Sequence, residues 1–238
     1  MLLWMAATLF SFYIKGLCGF ANTLIFTSIL SFGSSNASIS PVELLLGMPT
    51  NAILAWKERR SLDFSLCLPL SALVLLGCVP GAIFLKNADT RLIRLGFGVL
   101  ILIVSAQLLV QELRPRRARF SRAALAVIGV LSGLLCGLYG VGALLGAYVT
   151  RVAKDSHAFK ANLCFVFLAE NLFRIALYAA CGLLTRSTIL HALALYPFML
   201  TGLFLGMRSA GVLSERIARR LVIALLFVSG AALVGACL

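Results

Sequence analysis

The sequence predicts an all-α polytopic membrane protein made of two inverted repeats, each a glycine-broken (discontinuous or re-entrant) segment plus three transmembrane helices. Three observations lead there. The chain of 238 residues is 61% hydrophobic and only 12% charged, with a mean hydropathy of +1.04. A soluble domain of this size needs far more charge to cover its surface, and several apolar runs are long enough to cross about 30 Å of hydrocarbon as helix. The second observation is a pair of matched glycine breaks. The third is a one-sided distribution of Lys and Arg.

The first break is Lys15-Gly16-Leu17-Cys18-Gly19-Phe20-Ala21-Asn22-Thr23, after fourteen almost wholly apolar residues. The second is Cys136-Gly137-Leu138-Tyr139-Gly140-Val141-Gly142-Ala143. Gly16 and Gly19 match Gly137 and Gly140, and Ala21 matches Gly142. Paired glycines inside apolar runs mark places where a helix stops and restarts. The freed backbone groups survive in a membrane only against protein or a water-filled cavity. Two breaks at corresponding points of two half-chains point to a transporter's binding site.

In order, residues 1–31 form the first broken segment, followed by a polar stretch from Gly33 to Ser40. A helix from Pro41 to about Trp56 is expected to be interrupted at Pro49-Thr50-Asn51, and Lys57-Glu58-Arg59-Arg60 closes it. Helical runs follow at about 64–85 and 91–111. The second half repeats this order: a broken segment over 121–150, a charged loop from Arg151 to Lys160, and runs at about 161–184, 188–207 and 217–237. The expected division is a first repeat 1–113, a basic cytoplasmic linker 114–120 and a second repeat 121–238. Gly77, Gly81, Arg91 and Arg94 match Gly202, Gly206, Arg216 and Arg219 at an offset of 125; Asn51 matches Asn171 at 120, and Gly16 matches Gly137 at 121. These matches indicate a duplication. The Gly-xxx-Gly pairs read as sites of close helix packing.

Charge decides the orientation. If each broken segment crosses once, the halves are parallel and Lys and Arg divide nine against ten between the two sides. If each goes in and comes back, the halves are inverted. One side then holds fifteen Lys and Arg, at 57–60, 114–122, 151–160 and 208–220, against only Lys86, Arg91, Arg94 and Arg186 on the other. Fifteen against four is the bias that cytoplasmic loops carry, so both termini are expected outside. Lys15 and Arg174 remain within the membrane.

The net charge of +13 sits mostly in these short loops and calls for no nucleic-acid partner. Met1 is followed by no basic region and no small-residue cleavage site, so the first run is expected to be retained. Seven cysteines without a Cys-x-x-Cys spacing and two distant histidines, His157 and His191, give no metal site, cofactor or disulfide framework. Most cysteines read as small apolar fillers, with Cys18 and Cys136 flanking the breaks. No nucleophile elbow, Walker loop or paired catalytic carboxylates occur, so an enzyme is not expected.

Under inversion the two tips approach from opposite faces, and helix ends exposed there suit an anion. Lys15 sits at the first tip; its alternative is a snorkelling interfacial lysine. Asn22 and Thr23 offer donors just beyond it, or serve as helix glue. Asn51 and Asn171 occupy equivalent positions in the two halves. Arg174 lies mid-span, four residues after Glu170 on the same helical face, either as a functional group or as a structural pair. The expected substrate-binding set is Lys15, Gly16, Gly19, Asn22, Asn51, Gly137, Gly140, Asn171 and Arg174. Glu170 is the coupling candidate: burial and the neighbouring arginine act on its protonation in opposite directions.

With these residues in hand, the chain resembles the sulfite exporter TauE/SafE family of membrane permeases. The likeness is carried by Ile14-Lys15-Gly16-Leu17-Cys18-Gly19-Phe20-Ala21, by Pro49-Thr50-Asn51 leading to Trp56-Lys57-Glu58-Arg59-Arg60-Ser61-Leu62-Asp63, and by Glu170-Asn171-Leu172-Phe173-Arg174 leading to Tyr178 and Gly182-Leu183-Leu184-Thr185. The resemblance implies a permease of the bacterial cytoplasmic (inner) membrane that moves sulfite, a sulfonate or another organosulfur or organic anion, by alternating access with a proton or sodium ion as the coupling candidate. One departure is that members commonly have a richer glycine cluster and a proline after the first tip, where this chain runs Phe20-Ala21-Asn22-Thr23-Leu24. The competing readings are a transporter of another solute such as a cation, with Glu170 coordinating it, and a membrane-embedded assembly protein.

Overall fold

The computed structural model describes residues 1–87, 90–113, 122–139 and 142–209, with positions 220, 223–224, 226–228, 230–231 and 234–235 beyond them. The basic linker 114–120 and most of the last run, 217–237, lie outside the described residues. The helices are α1 (Leu2–Cys18), α2 (Asn22–Leu30), α3 (Asn36–Lys57), α4 (Phe64–Asn87), α5 (Thr90–Leu113), α6 (Arg122–Tyr139), α7 (Ala143–Val152), α8 (Ser156–Ala180) and α9 (Arg186–Ser209), with a 3-10 turn at Arg59–Ser61. No strand occurs among the described residues. Windows in Phe64–Leu85, Ser156–Ala180 and Arg186–Ser209 are long and apolar enough to cross a membrane, and Leu2–Cys18, Leu95–Val110 and Ala126–Tyr139 are shorter apolar helices.

The chain breaks where the first glycine cluster predicts. Gly19 takes φ 84° and Ala21 φ 72°, and Gly19 N–H donates to the Lys15 carbonyl at 2.7 Å, a left-handed helix cap. Ala21 holds a conformation that disfavours a Cβ. Beyond it α2 returns against α1, with Trp4 edge-on to Phe26 at 5.7 Å between ring centroids. The second break lies between Tyr139 and Ala143, where Gly140 and Val141 are outside the described residues. Gly142, on its far side, abuts the Phe167 ring of α8.

Glycines set the closest packing. In α4–α6, a Cβ on Gly77 would overlap the Val130 carbonyl and Leu134 nitrogen, and one on Gly137 the Cys78 carbonyl and Ala82 nitrogen. In α1–α9, Gly202 meets the Leu9 carbonyl and Tyr13 nitrogen, and Gly16 the Leu203 carbonyl and Met207 nitrogen. Each contact in one pair has its counterpart in the other at offsets of 121 and 125. Between them α3 and α8 run antiparallel: Glu58 meets His157 at one end, Asn51 faces Asn171 midway, and Glu43 meets Arg174 farther along.

Three boundaries differ from the sequence reading. α3 is continuous through Pro49-Thr50-Asn51. Proline removes one N–H from the helix ladder; the Leu45 carbonyl four residues back instead accepts from the Tyr196 hydroxyl of α9 at 3.1 Å. Thr50 Oγ1 takes the Gly47 carbonyl at 2.7 Å. The polar stretch 33–40 is helical from Asn36 onward. The charged loop 151–160 shrinks to 153–155, because Asp155 caps α8 by accepting from Ala158 N–H at 2.7 Å.

Candidate functional site

α8 supports both breaks. A broken helix leaves its last carbonyls without intrahelical partners, and α8 supplies donors to each. Lys160 Nζ donates to the Leu17 carbonyl at 3.3 Å, and Cys164 Sγ to the Gly19 carbonyl at 3.7 Å. About three and four turns beyond Cys164, Arg174 Nη1 donates to the Cys136 carbonyl at 2.5 Å and the Tyr178 hydroxyl to the Gly137 carbonyl at 2.9 Å. A cation at the carbonyl end of α6 also complements its dipole.

Between the breaks lies a cavity of about 20 Å³ lined by Lys15, Asn22, Thr23, Glu43, Asn51, Phe167, Glu170, Asn171 and Arg174. It is room for about one water. Of the residues singled out in sequence, Lys15, Asn22, Asn51, Glu170, Asn171 and Arg174 are brought together here. Gly16 and Gly137 do not line the cavity; they lie against α9 and α4. Gly19 forms the turn and is covered by the Lys160 stem. Gly140 lies outside the described residues. Cys136 contributes its carbonyl to the Arg174 network.

Lys15 is 1% exposed, which rules out the snorkelling alternative. Its ammonium stands 5.8 Å from the Phe12 ring centroid, and no acceptor among the described residues lies within hydrogen-bond distance of it. Arg174, equally buried, meets Glu170 Oε1 at 3.3 Å and Glu43 Oε2 at 3.4 Å. Its guanidinium carbon stands 5.5 Å from the Tyr178 ring centroid, and its Nε has no partner among the described residues. Asn171, with its amide turned to match its neighbours, accepts from Asn51 Nδ2 at 3.0 Å and donates to Glu170 Oε2 at 2.8 Å.

Glu43 is the cavity residue that the sequence reading missed. It projects from α3 and is 3% exposed. Its Oε1 accepts from Asn22 Nδ2 at 2.8 Å and Thr23 Oγ1 at 2.6 Å, both in the first turn of α2, where the helix dipole also favours an anion. The signal was present, since a carboxylate inside an apolar run is a functional candidate by default. Glu43 also changes the charge balance, because two cations now face two carboxylates.

A model of the family described as sulfite exporter TauE/SafE matches residues 4–233, nearly the whole chain. No curated protein and no solved structure matches it. Members of the matched family are membrane transporters, not enzymes. The buried cation-lined cavity thus sits in a chain that belongs to the sulfite exporter TauE/SafE family.

Proposed function

We propose that the protein is a secondary transporter moving a small anion, such as sulfite, a sulfonate or another organosulfur or organic anion, by alternating access around the cavity between the two breaks. The observation that carries this reading is the buried Lys15 ammonium, which meets no acceptor within hydrogen-bond distance among the described residues, in the same cavity as Arg174. A buried charge is costly unless paired, and an anion supplies the missing partner. Asn22, Thr23, Asn51 and Asn171 would donate to its oxygen atoms, and Arg174 would bind it through charge-assisted bonds.

Inverted repeats over 1–113 and 121–238 fit this mechanism, because rocking one half against the other exposes a central site to each side in turn. Support comes from the matched glycine contacts of α1–α9 and α4–α6 and from the antiparallel run of α3 against α8, which stand at equivalent places in the two halves. The fifteen-to-four charge count supports both termini outside a cytoplasmic membrane.

The second carboxylate, Glu43, favours a second reading, a cation held by Glu43 and Glu170. Both carboxylates already meet Arg174, and Lys15 would repel such a guest. Flux into sealed liposomes across a panel of oxyanions and metal cations separates the two. Sulfite or sulfonate flux is expected; cation flux alone would overturn the anion reading.

A further inference from the structure

The donors proposed for the substrate are already occupied. Glu43 Oε1 takes Asn22 and Thr23 at 2.8 and 2.6 Å, and Oε2 takes Arg174 Nη2 at 3.4 Å. One carboxylate thus spans α2 and α8 from a third helix. The cavity left beside it, about 20 Å³, holds a water but not a sulfur oxyanion. With Lys15, Arg174, Glu43 and Glu170 all ionised the buried charge sums to zero, so an added anion would leave an unbalanced negative charge in a medium that screens poorly.

We propose that Glu43 is a tethered internal anion that competes with the substrate for Asn22, Thr23 and Arg174, and that each substrate monoanion enters with one proton taken from water onto Glu43. This rests on the cavity being the substrate site. Protonation removes the charge that holds Glu43 to its donors, leaves a net positive cavity, and lets the incoming anion restore neutrality. Glu170 is less suited to the role. Its partner Arg174 lies on the same helix, Asn171 also holds it, and it makes no bond to the α2 donors. The ionisable groups around Glu43 are Lys15 on α1, the Cys136 thiol on α6, and Glu170 and Arg174 on α8; α2 presents only the neutral Asn22 and Thr23.

The test is calorimetric binding of methanesulfonate to the purified full chain, a probe whose sulfo group stays ionised at neutral and mildly acidic pH. Wild-type affinity should fall as pH rises, by up to about tenfold per pH unit, and each binding event should take up one proton, read from the heat in buffers of different ionisation enthalpy. Glu43→Gln should bind about tenfold or more tightly at neutral pH, with a flat pH profile and no proton uptake. Proton uptake of zero by the wild type would overturn the proposal without any variant being made. A pH slope retained in Glu43→Gln but lost in Glu170→Gln would also overturn it, by moving the proton to the other carboxylate. Arg174→Lys separates the two layers. If it binds weakly while Glu43→Gln matches wild type, only the competition fails; if it binds as wild type does, the site assignment fails and the competition with it.

Discussion

Asn51 and Asn171 meet where α3 crosses α8, the Asn171 amide oxygen accepting from Asn51 Nδ2 at 3.0 Å. They stand 120 residues apart at matched places in the two halves. The pair lies where α3 packs on α8, beside the α1–α9 and α4–α6 glycine contacts. The pair also joins Glu170 through the Asn171 amide nitrogen, and all three residues line the cavity.

The first prediction follows from this contact. Asn171→Ala removes a donor from buried Glu170 and an acceptor from buried Asn51, and each group left unsatisfied costs about 1–3 kcal/mol. Asn51→Ala strands fewer groups, since Asn51 Oδ1 has no partner to lose. Thermal unfolding in detergent should therefore rank Asn171→Ala below Asn51→Ala, and Asn51→Ala below wild type. Equal midpoints for all three would remove the pair from the core of the fold.

The first break, the close helix packing and most of the cavity lining were legible because each rests on a constraint local in sequence. Gly16 and Gly137 must lie against backbone, and Arg174 announces itself as a charge within an apolar run. Glu43 obeys the same rule as Glu170 but lacks a cation four residues away, so its partners Asn22, Thr23 and Arg174 emerge only when three helices assemble. The continuity of α3 was illegible for a similar reason. It depends on Tyr196, 151 residues from the carbonyl it satisfies. The start of α8 was readable in principle, since Asp155 before Ser156 is a capping pattern.

Gly16→Ala and Gly137→Ala should be damaging to similar degrees. Each added Cβ would meet a partner carbonyl from α9 or α4, an atom that cannot swing aside, and overpacking of this kind costs about 1–3 kcal/mol. Gly33→Ala, where nothing stands within 4 Å, is the control and should unfold as wild type does. Tolerance of alanine at both packing positions would show that these glycines do not set the helix spacing.

Orientation makes a separate prediction. With Lys and Arg concentrated at 57–60, 114–122, 151–160 and 208–220, a single cysteine placed at residue 118 in a cysteine-free background should resist an impermeant thiol reagent in intact cells and react once the membrane is opened. A cysteine at position 2 should behave in the opposite way. Reaction of residue 118 in intact cells would reverse the orientation and discard the inverted arrangement.

Lys15 separates a residue kept for folding from one kept for a ligand. Among the described residues its ammonium meets no acceptor within hydrogen-bond distance, and the side chain is 1% exposed. A structural lysine would be paired, because a buried charge without a partner works against folding. Lys15→Met, close in length and apolar, removes that cost while keeping the packing against Phe12. The variant should therefore unfold close to wild type in the absence of substrate, because relief of the unpaired ammonium is offset by the net negative charge it leaves on Glu43 and Glu170. It should also lose the stabilisation that sulfite or a sulfonate gives the wild type, since a ligand raises stability only by binding the folded state. Binding should weaken at least ten- to a hundred-fold, the loss of a charge-assisted contact of about 1.5–3 kcal/mol. Thermal unfolding of both proteins with and without ligand reads the two effects together. A Lys15→Met protein that melts below wild type and still gains the full ligand shift would make Lys15 a structural residue and move the anion site elsewhere.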